Sequence, residues 1–158
     1  MTMETYVAAA ELLRSDSRAD FVGARERSLI DAAERRLDFR FPPTYRRFLL
    51  EFGCGNIGGQ EIYGLIDEPI ERGPIPNAVW LNLQRRARGW KPSLFVIHES
   101  GDGTSHALSL EHTGPHGEAS VWLLSVSGES IEKVADDFGD FLLSLVQRQS
   151  TEPAPSGS

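Results

Sequence analysis

Any chemistry in this chain would have to come from very few side chains. Four histidines are present: His98, His106, His112 and His116. His112 and His116 stand four apart, but Gly114 and Pro115 lie between them, so no helix presents both on one face. His98 and His106 bracket Glu99-Ser100-Gly101-Asp102-Gly103-Thr104, and Asp102-Gly103 is a hairpin signal. The two imidazoles could then face each other across paired strands. With Glu99 and Asp102 nearby a metal cluster is conceivable. Zinc, however, needs three or four ligands at ~2.0–2.3 Å, and no signature spacing supplies them. Exposed strand-end histidines are the plainer expectation. Glu99 and Asp102 could also form a carboxylate pair, but acid–base work needs an apolar cleft to push two pKa values apart, and this polar turn promises none. Gly53-Cys54-Gly55-Asn56-Ile57-Gly58 has the G-x-G-x-x-G spelling of a dinucleotide loop. The order of its flanks is reversed: a helix precedes and a strand follows, so the glycines read as cap and loop. Cys54 is the only cysteine, which excludes an internal disulfide, and no nucleophile signature accompanies it. No serine between residues 100 and 130 sits in a G-x-S-x-G elbow. These residues promise no enzyme, no metal site and no cofactor.

The elements that must position such residues change character along the chain. Residues 5–14 read as a short helix with Tyr6, Ala9, Ala10 and Leu13 on one face. Leu29, Ile30, Ala33 and Leu37 recur at helical spacing within about 24–37. Pro42-Pro43 opens a third helix with an apolar stripe of Tyr45, Phe48, Leu49 and Phe52, closed by Gly53 as a left-handed cap. Residues 54–60 read as a glycine-rich loop and 61–66 as a short strand. Residues 77–89 form a fourth helix capped by Asn77, with Trp80, Leu81 and Ala87 facing inward. The second half turns to strands at about 94–98, 105–110 and 120–126, with Trp122 in the core. A last helix spans 134–148, with Val134, Phe138, Phe141, Leu142 and Leu145 on its apolar face. The expected organisation is an N-terminal extension over 1–23, one α+β domain over 24–148 and a disordered tail over 149–158.

The chain has 158 residues, 40% of them hydrophobic and 25% charged, an ordinary balance for one soluble domain. No apolar stretch is long enough to span a bilayer, and the N-terminus lacks a signal-peptide pattern, so a cytoplasmic location is expected. Net charge is −7, unevenly spread. Residues 1–50 carry nine basic and eight acidic groups, 51–98 carry five of each, and 99–158 carry ten acidic groups against Lys133 and Arg148. The last stretch therefore holds −8. Such a surface repels phosphate backbones and attracts a basic protein.

One ordered set of motifs resembles a known family. Glu34, then Leu37, then Phe41-Pro42-Pro43-Thr44-Tyr45-Arg46-Arg47-Phe48-Leu49, then Gly53 to Gly59, resembles the opening of the SUKH superfamily, the Smi/Knr-type fold. Ile62-Tyr63-Gly64-Leu65, Val96-Ile97 through Gly103, Val121-Trp122 and Phe138-x-x-Phe141-Leu142 are similar to its later strands, hairpin and closing helix. The resemblance covers about 24–146 and leaves 1–23 without a place in the family core. Phe41 stands where the family pattern has Leu. The resemblance implies helices packed around a mostly antiparallel sheet. It also implies a bacterial immunity protein that binds a cognate toxin, often a nuclease. A regulatory scaffold without a toxin partner is the alternative. On charge and resemblance together, the residues expected to meet a basic partner are Glu68, Glu71, Glu99, Asp102, Glu111 and Glu118.

Overall fold

Apolar spacing and two prolines set the first half of the structure, a computed structural model that describes residues 2–67, 77–114 and 116–151. Helix α1 (Thr2–Ser15) is followed by the short strand β1 (Ala19–Phe21) and helix α2 (Arg27–Leu37), which buries Leu29, Ile30, Ala33 and Leu37 as their spacing requires. Pro42 and Pro43 start α3 (Pro43–Glu51), which buries Tyr45, Phe48 and Leu49. Gly53 takes φ +74° just past the end of α3, the left-handed conformation that a side chain resists. Glu34 joins the two helices. Its carboxylate accepts from the Phe41 backbone N–H at 2.8 Å and from Arg46 Nη1 at 2.8 Å.

Strands β2 (Gly55–Ile57) and β3 (Gln60–Ile62) follow, then α4 (Ala78–Ala87), β4 (Leu94–Glu99), β5 (Ser105–Thr113), β6 (Ala119–Leu124), β7 (Ser130–Ala135) and α5 (Phe138–Thr151). The strands divide into two antiparallel sheets, ordered β1-β2-β3 and β4-β5-β6-β7. The chain leaving β3 ties them together, because the Tyr63 N–H donates to Ile97 O at 2.8 Å. Asn77 caps α4 as expected, accepting from the Trp80 N–H at 3.1 Å. Ala87 is exposed rather than inward. Asn82 takes the inner face instead and exchanges hydrogen bonds with both backbone groups of Val96, at 2.7 and 3.0 Å.

Two stretches depart from the sequence expectation. The glycine-rich segment 54–60 is not all loop, since β2 pairs there with β1. The last helix begins at Phe138, not Val134. Asp137 accepts the Asp140 N–H on its side chain at 2.8 Å and the Phe141 N–H on its backbone at 3.2 Å, the signature of a cap. Val134 belongs to β7, paired with β6. Helix α5 runs on to Thr151, and residues 152–158 of the expected tail lie outside the described residues.

One hydrophobic core runs through all of this. Leu37, Tyr45, Phe48, Leu49, Ile62, Val96, Leu108, Phe138, Phe141 and Leu142 are buried in it. Trp122 is only partly buried at its margin, where its indole N–H donates to Ser120 Oγ at 2.9 Å. The first residues share the same core. Tyr6, Ala9, Ala10 and Leu13 of α1 are buried, and the Tyr6 hydroxyl donates to Glu51 Oε1 at 2.6 Å.

Candidate partner-binding surface

Of the six acidic residues expected at a partner surface, the four among the described residues do not lie together. Glu68 and Glu71 lie outside the described residues. Glu99, at the end of β4, is half-buried and occupied: it accepts from the Tyr63 hydroxyl and from Arg85 Nη2, each at 3.0 Å. Asp102 is exposed at the tip of the β4–β5 hairpin. Its Oδ1 accepts from the Thr104 N–H at 3.0 Å and from the Thr104 hydroxyl at 2.5 Å, which holds its carboxyl below the usual range. Asp102 thus satisfies its own turn while presenting its charge to solvent. Positive φ falls at Gly101 and Gly103 on either side of it. Glu111 is exposed towards the far end of β5, accepting from Ser93 Oγ at 3.0 Å. Six residues of strand, roughly 20 Å, separate that end from the hairpin tip.

Glu118 needs correction as a surface residue. It is buried, and its carboxylate receives the Thr44 N–H at 2.9 Å and the Thr44 hydroxyl at 2.8 Å. The Thr44 hydroxyl oxygen in turn accepts the Gly139 N–H at 3.3 Å. The first turns of α3 and α5 and the start of β6 therefore meet at one polar knot. Helix N-termini leave N–H groups unpaired, and an inward carboxylate is a direct way to satisfy one.

Exposed acidity concentrates instead along and beside β7, just ahead of and into the start of the expected last helix. Glu129, Glu132 and Asp136 are exposed along and beside β7. Val126, Ile131 and Val134 stand among them, 71%, 55% and 41% exposed. The two hairpin tips are neighbours, since a Cβ at Gly103 would sit 3.0 Å from a Val126 methyl. Ser127-Gly128 is a turn signal between apolar runs, and it was the available sequence cue to this hairpin.

His98 and His106 do face each other, in register across β4 and β5, with their Nδ1 atoms 3.0 Å apart. The expectation that both are exposed fails: His98 is 3% exposed and His106 is half-buried. His98 Nε2 lies 2.8 Å from Gln60 Oε1, an acceptor, so the hydrogen-bond network assigns the His98 proton to Nε2. Its Nδ1 then accepts from His106 Nδ1–H. The pair links β3, β4 and β5 and so joins the two sheets. Phe141 packs against both rings, at centroid distances of 5.8 and 5.0 Å. Burial, then the neighbouring imidazole and Arg148, pushes His98 down to about 4, and burial with Arg148 lowers His106 as well. Asp102 acts the other way on His106. His98 therefore folds neutral. A lowered folded pKa gives stability that is present above the unfolded value of 6.5 and lost as pH falls towards about 4. The expected loss is up to about 3 kcal/mol. It is read as the difference between unfolding curves of the native chain and His98→Asn across that window. An unchanged difference between pH 7 and pH 4.5 would show that the pair is not held neutral.

The Cys54 thiol, between α3 and β2, is fully buried, and burial pushes it up to about 11, which leaves it a poor nucleophile. Among the described residues no three His, Cys, Asp or Glu side chains converge as metal ligands. No helix among them is long and apolar enough to cross a membrane. What the surface offers is an acidic, partly apolar strand edge.

A solved structure, a protein from Pseudomonas syringae pv. tomato, shares the fold with a TM-score of 0.64 at 15% identity, covering 85% of this chain and 93% of that one. No curated protein matches. The SUKH family model described as "SMI1-KNR4 cell-wall" matches residues 27–142, well over half of the chain. Domains of this family are protein-interaction modules, generally immunity or interaction proteins rather than enzymes. The matched segment contains Glu34, the Pro42-Pro43 helix, the glycine exit, the hairpin and the first turn of α5, and the chain belongs to the SMI1-KNR4 (SUKH) family.

Proposed function

We propose that this chain is a non-enzymatic immunity protein that binds and neutralises a cognate bacterial toxin of a polymorphic or contact-dependent system, the toxin domain being basic, as in many nucleases. The observation that carries this reading is the exposed acidic and apolar strip of Val126, Glu129, Ile131, Glu132, Val134 and Asp136 on an interaction-module fold. Apolar side chains at the centre of an interface supply affinity, and surrounding charge steers encounter with a basic surface. The site of action would be the cytoplasm, where a nuclease meets its substrate.

The test pairs the purified chain with any toxin-like protein found encoded beside its gene. The purified pair is expected to form a stoichiometric complex that abolishes the toxin's activity. Association should slow about tenfold or more between low and high salt, as for steered encounters. A complex that leaves the toxin active would favour a regulatory scaffold, and salt-independent association would remove the charge mechanism.

A further inference from the structure

We propose that the outer edge of β7 receives an extended basic segment of a protein partner as an added strand. This rests on the reading above, that the partner is a basic protein.

Strand β7 ends the order β4-β5-β6-β7, so one side of its backbone has no strand neighbour among the described residues. Backbone N–H and C=O groups along such an edge are a ready template for another chain. Edge strands are ordinarily blunted, and this one carries two such devices: Lys133, and register shifts against β6 at Val121/Trp122 and Leu123/Leu124. Yet it is not apolar-poor. Seven large apolar side chains are exposed among the described residues, and three of them, Val126, Ile131 and Val134, fall within nine positions here. That clustering is unlike the scattered single exposures of an ordinary surface.

Charge selects the occupant. From Glu129 to Asp136 the exposed charges are Glu129, Glu132 and Asp136 against Lys133, net −2, and the Lys133 ammonium is drawn to Asp136 at 2.6 Å. A second copy of this edge would oppose like charges. The chain's own C-terminal residues, Glu-Pro-Ala-Pro-Ser-Gly-Ser, carry two prolines and no basic group, so they suit neither the ladder nor the charge. A lysine- or arginine-bearing strand suits both. An added strand also gains specificity from pockets that take alternate side chains. One lies beside the edge: a cleft of about 510 Å³ lined by Val134, Phe141, His106, Ser144, Gln147 and Arg148. Val134 and Phe141 in its lining suit one of the added strand's apolar side chains, while Arg148 disfavours a basic one there.

The experiment follows backbone amides of the isotopically labelled full chain by NMR. The probes are three seven-residue capped peptides: alternating Lys-Val, alternating Glu-Val, and the Lys-Val peptide N-methylated at every amide. The Lys-Val peptide is expected to shift the amides of 130–135 and to slow their hydrogen exchange at least tenfold, whereas the other two do neither. Reversing Glu129 and Glu132 together to lysine should weaken the Lys-Val peptide at least tenfold. Binding by the N-methylated peptide as tight as the parent would show charge attraction without strand addition. Shifts mapping away from β7, or none at millimolar peptide, would also overturn the proposal. The same Glu129→Lys/Glu132→Lys variant separates the two readings in the toxin assay. If it neutralises the toxin normally, the edge proposal fails and immunity stands. If the native chain docks the peptide on β7 yet binds no toxin, the immunity reading fails and the edge proposal stands.

Discussion

Truncating Phe138 to alanine is expected to lower the unfolding free energy by about 3–5 kcal/mol. The side chain is completely buried at the first position of α5, where several elements converge. Its ring lies 5.0 Å from Tyr45 and 5.2 Å from Phe48, centroid to centroid, both on α3. Neither neighbour can move into the space freely. The Tyr45 hydroxyl is anchored on Tyr63 O at 2.7 Å, and Phe48 is itself in contact with Phe21 and Phe52. The cavity would therefore persist, and the cost combines lost transfer energy with lost contacts. Chemical denaturation reads the effect as a lower midpoint at unchanged slope. A cost below about 1 kcal/mol would mean that α5 is not keyed to α3 through this ring.

Glu118→Ala is expected to be the second large loss. It orphans two buried donors at once, the Thr44 N–H and the Thr44 hydroxyl, at about 1–3 kcal/mol for each donor left unsatisfied. It also loosens the link from α3 to α5 through the Gly139 N–H. Burial raises the Glu118 pKa, and the nearby Asp137 and Asp140 carboxylates add to this, while the Thr44 hydrogen bonds pull the other way. A raised folded pKa means stability fully present below the unfolded value of 4.5 and lost as pH rises through the folded value. The penalty of Glu118→Ala should thus be largest in acid and shrink towards neutrality, opposite in sense to the histidine pair. Unfolding curves for the native chain and the variant at pH 4.5 and pH 7.5 distinguish this from a surface role, in which the substitution would cost little at either pH.

Only the structure reveals that these two residues share a neighbourhood. Phe138 was legible in the sequence, because Phe138, Phe141, Leu142 and Leu145 repeat at helical spacing and the buried face follows from that alone. Glu118 was not legible. In a turn between two strands it reads as an exposed acid, and its partner Thr44 lies 74 positions away. The same holds for Glu99, whose carboxylate is occupied by Tyr63 and Arg85 from other elements. Asp102 was half legible: its turn chemistry is local, so the sequence anticipated it, but its position beside Val126 depends on a second hairpin. That second hairpin was hidden because Val134 continues the apolar spacing of α5 backwards. The cap at Asp137 and the pairing with β6 override the pattern.

The sequence alone determined what depends on neighbours a few positions away. Helical periodicity fixed the inward faces of α1, α2, α3 and α5, Pro42-Pro43 fixed the start of α3, and Gly53 fixed its end. The motif order from Glu34 to Leu142 fixed the family, and the count of acids after residue 98 fixed the sign of the surface. Tertiary structure alone decided which of those acids face solvent. It turned Glu118 inward and tied Glu99 down, and it set Glu129, Glu132 and Asp136 along an open edge beside three exposed apolar side chains. The physical reason is range. Backbone propensity and side-chain periodicity act over one or two turns, whereas burial of a charge is settled by whichever donor the fold brings to it.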